Sequence, residues 1–515
     1  MTRVAVIGAG VGGLAAAARL AASGHDVTVI EGQDAPGGRM RALPSAAGPV
    51  DAGPTVLTMR WVFEDLFAAC GASLAERVPM VREEVLARHF WPDGSTLDLL
   101  ADPQAARDAV AAFAGPREAA AFDAFRGAAR RLFGAFEAPM MRAPDPSQAR
   151  LAAAVARRPW LLRDMAPHRT LAGALAARFR DPRLRQLFGR YATYVGGDPR
   201  RSPALLSLIS HSEASGVWRV EGGMRRLAEA TAELARGAGA RIECGDGAAA
   251  ILRDGAGWRV ARRSGAEGRF DAAVFAGDPR ALREGLLGPD AAGAVPAAGV
   301  APRSLSAEVW AFAARAEGPA LAHHDVFFAA EPEEEFAAIA AGRPPAAPTL
   351  YLCAQDRGAG MPDPAGAERF EIIANAAPLT ARTPQTEDEE RCRRTTFETL
   401  ERFGLRFDPA PGAAALTGPA GFEALSPGSA GSLYGRSPHG MTAALARPRA
   451  RTALPGLYLA GGGAHPGAGV PMAALSGAHA AAAISRDRTS TSRSRRGATA
   501  GGTSTGSRRA APAGE

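Results

Sequence analysis

The chain contains no lysine. All 60 of its basic residues are arginine, and with 60 glycines, 39 prolines and abundant alanine this fits the codon bias of a GC-rich genome. Chemistry that depends on a lysine amine is therefore excluded. Cysteine is scarce: Cys70, Cys244, Cys353 and Cys392 lie far apart with no CxxC pair. That spacing argues against a disulfide framework and against a zinc site, so no metal is expected, and a reducing cytoplasm fits. No apolar run reaches about 18 residues, so no segment is expected to span a membrane. The N-terminus runs within three residues into "VAVIGAG" and leaves no basic region for a signal peptide. The net charge is unevenly placed. Residues 485–515 hold seven arginines against Asp487 and Glu515, which takes +5 of the net +7 and leaves the rest near neutral. A nucleic-acid partner is not expected.

What is present is enough for a large folded protein. The 515 residues are 47% hydrophobic and 22% charged, ordinary values for a globular chain. Residues 4–7 form a short apolar run, followed by "GAGVGG", an Ala-rich helical stretch to Ser23 and a second apolar run, Val27 to Ile30. That order is strand, turn, helix, strand. From about 76 to 215 the pattern reads as helical, broken by prolines. Strand-like alternation returns at Arg241–Cys244, Trp258–Ala261 and Ala272–Phe275. A third region, 285–430, carries β-type runs that predict an antiparallel sheet with a helix near Glu387–Phe403. A last strand, Gly456–Ala460, opens onto "GGGAHPGAGVPMAALSG" and a helix to about Ser485; the polar, Gly/Ser-rich remainder predicts a disordered tail.

Gly8, Gly10 and Gly13, with Gly12 between them, form GxGxxG between a strand and a helix. The first glycine permits a tight turn, the second lets a pyrophosphate approach the backbone, and the third allows close packing of helix on strand. The helix N-terminus then presents unpaired N–H groups and a partial positive charge to the phosphates. Glu31 ends the second strand, where an acid bonds ribose hydroxyls. A glycine turn without a ligand would share the glycines but has no need of the acid. After Glu31 comes "GQDAPGGRM", placing Gly38 and Arg39 soon after the acid, an extension similar to that of the glutathione-reductase-like FAD enzymes.

The motifs "DAGPTVLTM", "YVGGDP", "VEGGMRRLAEA", "FAGDP", "HHDVFFAAEPEEEF" and "GGGAHPGAGVPMAALSG" make the chain resemble the phytoene-desaturase family of carotenoid desaturases over nearly everything to residue 485. Within it, "GPTVLTMRWVFEDLF" and "HPGAGVPMAALSG" are most similar to the hydroxyneurosporene desaturases, or methoxyneurosporene dehydrogenases, of purple photosynthetic bacteria. The resemblance implies an α/β fold: a discontinuous Rossmann-like FAD domain built from residues 1–75, 216–284 and 431–484. A helical region, 76–215, that associates with a membrane and a mixed-sheet substrate domain, 285–430, would be inserted in it. It implies that Gly8, Gly10, Gly12, Gly13 and Glu31 hold the ADP half of FAD and that Gly38 and Arg39 meet the phosphates. Gly53, Pro54 and Thr55 would lie near the flavin, with Gly462, Val470, Pro471 and Met472 completing the pocket. Because Pro471 suits a first helical turn, the second glycine run is expected to fold back beside the first and finish one site.

The implied reaction is removal of two hydrogens from adjacent sp³ carbons, one as hydride to flavin N5 and one as a proton. In the purple-bacterial branch this is C3–C4 desaturation of 1-hydroxy or 1-methoxy carotenoids in spheroidene or spirilloxanthin-type synthesis. Electrons would pass to oxygen or a quinone, on a peripheral membrane protein. No base is implied; Tyr194, Asp198, His211 and Glu213 are candidates by their nearness to "YVGGDP", and each is more simply explained as a capped turn or a satisfied surface group. In "FRGAARRLFGAFEAPMMR", Leu132, Phe133, Phe136 and Met140 share a face beside Arg126, Arg130 and Arg131, suited either to a bilayer interface or to the protein's own core. His323 and His324, adjacent on a strand, are expected to point to opposite sides and share no metal. Three other readings stand beside the main one. An amine oxidase would place a lysine near N5, which this chain lacks; a prenyl-binding GDP-dissociation inhibitor would not need an intact Glu31 and Gly38-Arg39; a phytoene desaturase, carotenoid isomerase or saturase would share most motifs.

Overall fold

The computed structural model describes residues 1–380 and 388–499, with side chains through Asp487. Arg3–Ile7 is rich in β-branched residues and buried from Val4 onward, as befits a strand covered on both faces. Gly8, at φ +103°, turns the chain into the helix Val11–Ala22, and Asp26–Ile30 returns parallel to the first strand. The finished sheet has five parallel strands in the order Leu457–Leu459, Ala272–Phe275, Arg3–Ile7, Asp26–Ile30, Arg241–Glu243. Strands from three distant stretches of chain therefore share one sheet. Val4, Val6, Val27 and Val29 face the helices Val11–Ala22, Met224–Gly237 and Val470–Thr499. Ala5, Ile7, Ile30 and Phe275 face Trp258 and Val260, which stand on a three-stranded antiparallel meander, residues 248–270.

The second, eight-stranded sheet is mixed, and it corrects the sequence reading in two ways. Residues 80–100 are not helical: Met80–Arg82 is a short strand, and Val85–Phe90 and Thr96–Leu100 form a hairpin. Val85–Phe90 also pairs parallel with His324–Phe327, so the sheet of the third region is not purely antiparallel. The pairing partner lies more than two hundred residues away, and propensity within a short window cannot register it. The long strand Ser306–Glu317 then pairs with Glu368–Ala376, which pairs with Leu350–Ala354. Alternation gives this sheet two unlike faces. Phe312, Phe370 and Leu352 pack under the helix Glu389–Arg402, whereas Tyr351, Cys353 and Glu371 turn toward residues 51–55 of the first domain.

The helical region that follows is led by Pro116–Phe136, which begins after Gly115 at φ +92° and ends in a π-turn at Glu137–Met141. Of its apolar stripe, Leu132, Phe133 and Phe136 are buried, Phe133 edge-on to His211 and the others against Leu161. The stripe belongs to the protein's own core, and the interfacial reading of this helix is withdrawn. Among the described residues no helix is long and apolar enough to cross a membrane. The last helix overruns its expected end near Ser485 and continues to Thr499. No glycine or proline stands between Gly477 and Gly497 to stop it. Residues 500–515 of the expected tail lie outside the described residues.

Candidate functional site

The two glycine runs meet. A Cβ added to Gly12 would lie 2.5 Å from the Gly461 nitrogen and 2.9 Å from the Ala473 carbonyl. A Cβ on Gly477 would overlap the Gly12 carbonyl and come within 2.8 Å of the Ala16 nitrogen. Residue 12 faces 473 and residue 16 faces 477, so the helices run the same way, and their N-termini open at one end of the sheet. Only glycine permits backbones this close. Gly13 is equally constrained, since a Cβ there would overlap the Gly8 carbonyl.

At that end the residues fit a dinucleotide. The helix Val11–Ala22 starts at Gly10 with no side-chain cap, leaving its first-turn N–H groups to another partner. A Cβ on Gly10 would meet nothing within 4 Å, which is the space a pyrophosphate needs; Gly462 stands equally open. Glu31, nearly buried, accepts from the Ala9 nitrogen at 2.5 Å and from the Gln33 nitrogen at 2.9 Å. A carboxylate has about four acceptor sites, so two remain for hydroxyl groups. Gly38, at φ +59°, packs on Gly10, and the half-buried Arg39 donates from its guanidinium to the carbonyls of Ser432 and Leu433. Gly53 admits no side chain because a Cβ would overlap the Arg39 carbonyl. Val470 opens the second helix, Pro471 sits in its first turn, and Met472 packs with the same core.

Next to "GPT" lies a buried polar chain that sequence reading missed. Thr55 Oγ1 donates to Glu371 Oε2 at 3.2 Å and stands 2.8 Å from the Tyr351 hydroxyl, which is 2.8 Å from His324 Nδ1. Burial pushes the Tyr351, Cys353 and Glu371 protonation equilibria well up, Glu371 further because Asp51 is near. Burial also holds His324 well below the usual imidazole range, with the charges of His323 and Arg190 acting the same way. In each case burial favours the uncharged form. Beside them opens a cavity of about 500 Å³ whose wall includes Asp51, Thr55, His323, Cys353 and Gln355. No local signal could have united residues 55, 324, 351 and 371, because the sheet register alone brings them together.

The four candidate bases divide. Tyr194 and Glu213 meet: Glu213 Oε1 accepts from Tyr194 and from Arg190 at 3.0 Å each, and Oε2 accepts from Tyr191 at 2.5 Å. Asp198 instead pairs with Arg200 and accepts from the Arg200 backbone N–H, while His211 packs on Phe133. All four have structural partners. His323 and His324 overturn their expectation. His323 precedes the strand that begins at His324, so strand alternation does not separate them, and their ring centroids are 4.5 Å apart.

A family model described as flavin containing amine oxidoreductase matches residues 11–485. Hydroxyneurosporene desaturase of Cereibacter sphaeroides is 56% identical over 95% of this chain and 99% of its own length. The chain belongs to the carotenoid-desaturase branch of the flavin-containing amine oxidoreductases. The hydroxyneurosporene desaturase of Rhodobacter capsulatus is similar at 51% identity, over 95% and 99% of the two chains. Among solved structures, cyclohexylamine oxidase from Brevibacterium oxydans superposes with TM-score 0.56 over 95% of this chain and 99% of its own, at 19% identity. That likeness shows the fold alone. The cofactor of this fold is FAD, for which the glycine turns and Glu31 have the required space and acceptors.

Proposed function

We propose that the chain is an FAD-dependent desaturase that introduces the C3–C4 double bond into 1-hydroxy or 1-methoxy carotenoids. The observation that carries this reading is the 56% identity to a hydroxyneurosporene desaturase over 95% of the chain. FAD, when bound, supplies a hydride acceptor at N5. The protein's part is to hold and orient. Glu31 would bind ribose hydroxyls, the N-terminal turn at Gly10–Gly13 would hold the pyrophosphate, and the N-terminus of the helix beginning at Val470 would stabilise the negative charge that the flavin takes up on reduction. Gly53 to Thr55 and the Tyr351–Glu371 face of the second sheet would border the flavin, with Thr55 held by its bonds to Tyr351 and Glu371. The absence of lysine disfavours amine oxidation in the same fold.

The test is expression in cells that make neurosporene, with and without a 1-hydroxylating hydratase. Pigments with the longer chromophore are expected only with the hydratase; equal desaturation in both hosts would sink the substrate assignment. Running the purified enzyme without air, with a soluble quinone, separates the two proposed electron acceptors.

The substrate lives in lipid, and one surface suits a lipid interface. Trp160 and Leu162 are 49% and 50% exposed on a segment, residues 148–169, that also exposes Arg150, Arg157, Arg158, Arg163 and Arg169 against the single acid Asp164. Asp164 is taken by Arg131. Exposed tryptophan flanked by arginine is the composition of a helix lying in an anionic membrane surface. Trp160→Ala with Leu162→Asp is expected to cut co-sedimentation with anionic vesicles several-fold, each arginine adding about 1 kcal/mol; unchanged pelleting would exclude this surface.

A further inference from the structure

His323, His324 and Cys353 are all at least 95% buried, and one ligand atom from each lies within 4.8 Å of the others. The His323 Nε2 to Cys353 Sγ distance is 3.7 Å. Two ligands on one tetrahedral zinc, at about 2.05 Å for nitrogen and about 2.3 Å for sulfur, stand roughly 3.6 Å apart. The pair is thus already at ligand spacing. The tautomer of His323 also matches. Its Nδ1 lies 2.7 Å from the Arg357 carbonyl and 3.1 Å from the Ala354 carbonyl, which only accept, so Nδ1 carries the proton and Nε2 presents its lone pair to the sulfur. Backbone carbonyls bound to the far ring nitrogen are the usual outer support of a metal-bound histidine. His324 is tied through Nδ1 to Tyr351, which is tied to Thr55, while its Nε2 has no hydrogen-bond partner although the ring is 1% exposed. A buried imidazole nitrogen without a partner is costly unless something binds it.

We propose that His323, His324 and Cys353 form a zinc site in the wall of the cavity beside Thr55. Two imidazoles and one thiolate suit Zn²⁺, and three protein ligands leave one position free. His323 and Cys353 line the cavity, which gives the ion a route in and leaves the fourth position to water. Binding displaces the Cys353 thiol proton to solvent, so no oxidant or reductant takes part. The ion would cross-link the strand His324–Phe327 to Leu350–Ala354 at the sheet face that borders "GPT". The wide spacing of the cysteines hid this site, because only one of its ligands is a cysteine and the two histidines are thirty residues away.

The full-length FAD-loaded protein is stripped with a chelator, equilibrated with Zn²⁺ alone and freed of excess metal. About one zinc per chain is expected, and Co²⁺ in its place is expected to give tetrahedral d–d absorption to the red of the flavin bands. Cys353→Ser and His323→Ala should lose the cobalt spectrum, and Tyr351→Phe, which frees His324, should weaken zinc binding roughly tenfold. Should either ligand variant fail to fold, the wild-type cobalt spectrum decides alone. Less than about a tenth of an equivalent of zinc on the folded wild type, or zinc held equally well by both ligand variants, would overturn the proposal and leave a simple thiol–imidazole hydrogen bond.

Discussion

Gly10→Ala is expected to leave the apo-protein's thermal unfolding unchanged while weakening FAD binding at least tenfold. Gly477→Val is expected to damage both. The contrast follows from what a side chain would meet. At Gly10 the backbone is extended, φ −68° and ψ 167°, and a Cβ has nothing within 4 Å, so alanine is tolerated until a pyrophosphate claims the space. At Gly477 the added atoms run into the Gly12 carbonyl and the Ala16 nitrogen, both backbone and unable to turn aside. Prising the helices apart costs about 1–3 kcal/mol of overpacking and moves the two N-termini that frame the cofactor. The flavin-to-protein absorbance ratio after gel filtration, with unfolding midpoints of apo protein, measures both effects. Retention of FAD by Gly10→Ala at wild-type affinity would contradict the placement of the phosphates.

Glu213→Ala should destabilise the fold by about 3–5 kcal/mol, because it strands a charge. Arg190 and Glu213 have side chains only 7% and 3% exposed, and Tyr191 and Tyr194 donate to the same carboxylate. Removing Glu213 leaves a buried guanidinium without its counter-charge and two hydroxyls without an acceptor. Glu213→Gln, which keeps acceptors but not charge, should fall between. Denaturant midpoints give the answer, and the companion measurement is turnover at a temperature where each variant remains folded. A variant of full stability whose turnover falls a hundredfold would return Glu213 to the list of catalytic candidates.

Some of this was readable before folding. "VAVIGAGVGG" with Glu31 identified a nucleotide turn, since tight turn, helix start and strand end are adjacent in the chain and each has a residue that suits it. The second glycine run was legible by elimination: after Gly477 the chain offers one helix and no further strand with a terminal acid. Other features were ambiguous because one pattern serves two environments. Leu132, Phe133 and Phe136 would make the same stripe on lipid or on protein, and only their burial against His211 and Leu161 tells which. The hairpin at 85–100 carried a local signal, Asp93-Gly94 between two apolar runs, that the helical reading passed over; only its parallel pairing with the strand that begins at His324 was beyond local sequence.

The sequence by itself determined the dinucleotide turn, which rests on residue types at short, fixed spacings; its composition excluded lysine chemistry, and the branch of the family came from the resemblance of its motifs. Only the tertiary structure decided which side chains meet. The Thr55–Tyr351–His324 chain, the His323–Cys353 pair and the Arg190–Glu213 ion pair are set by strand register and domain docking. A shift of one residue in that register would turn Tyr351 and Cys353 to the opposite face of the sheet.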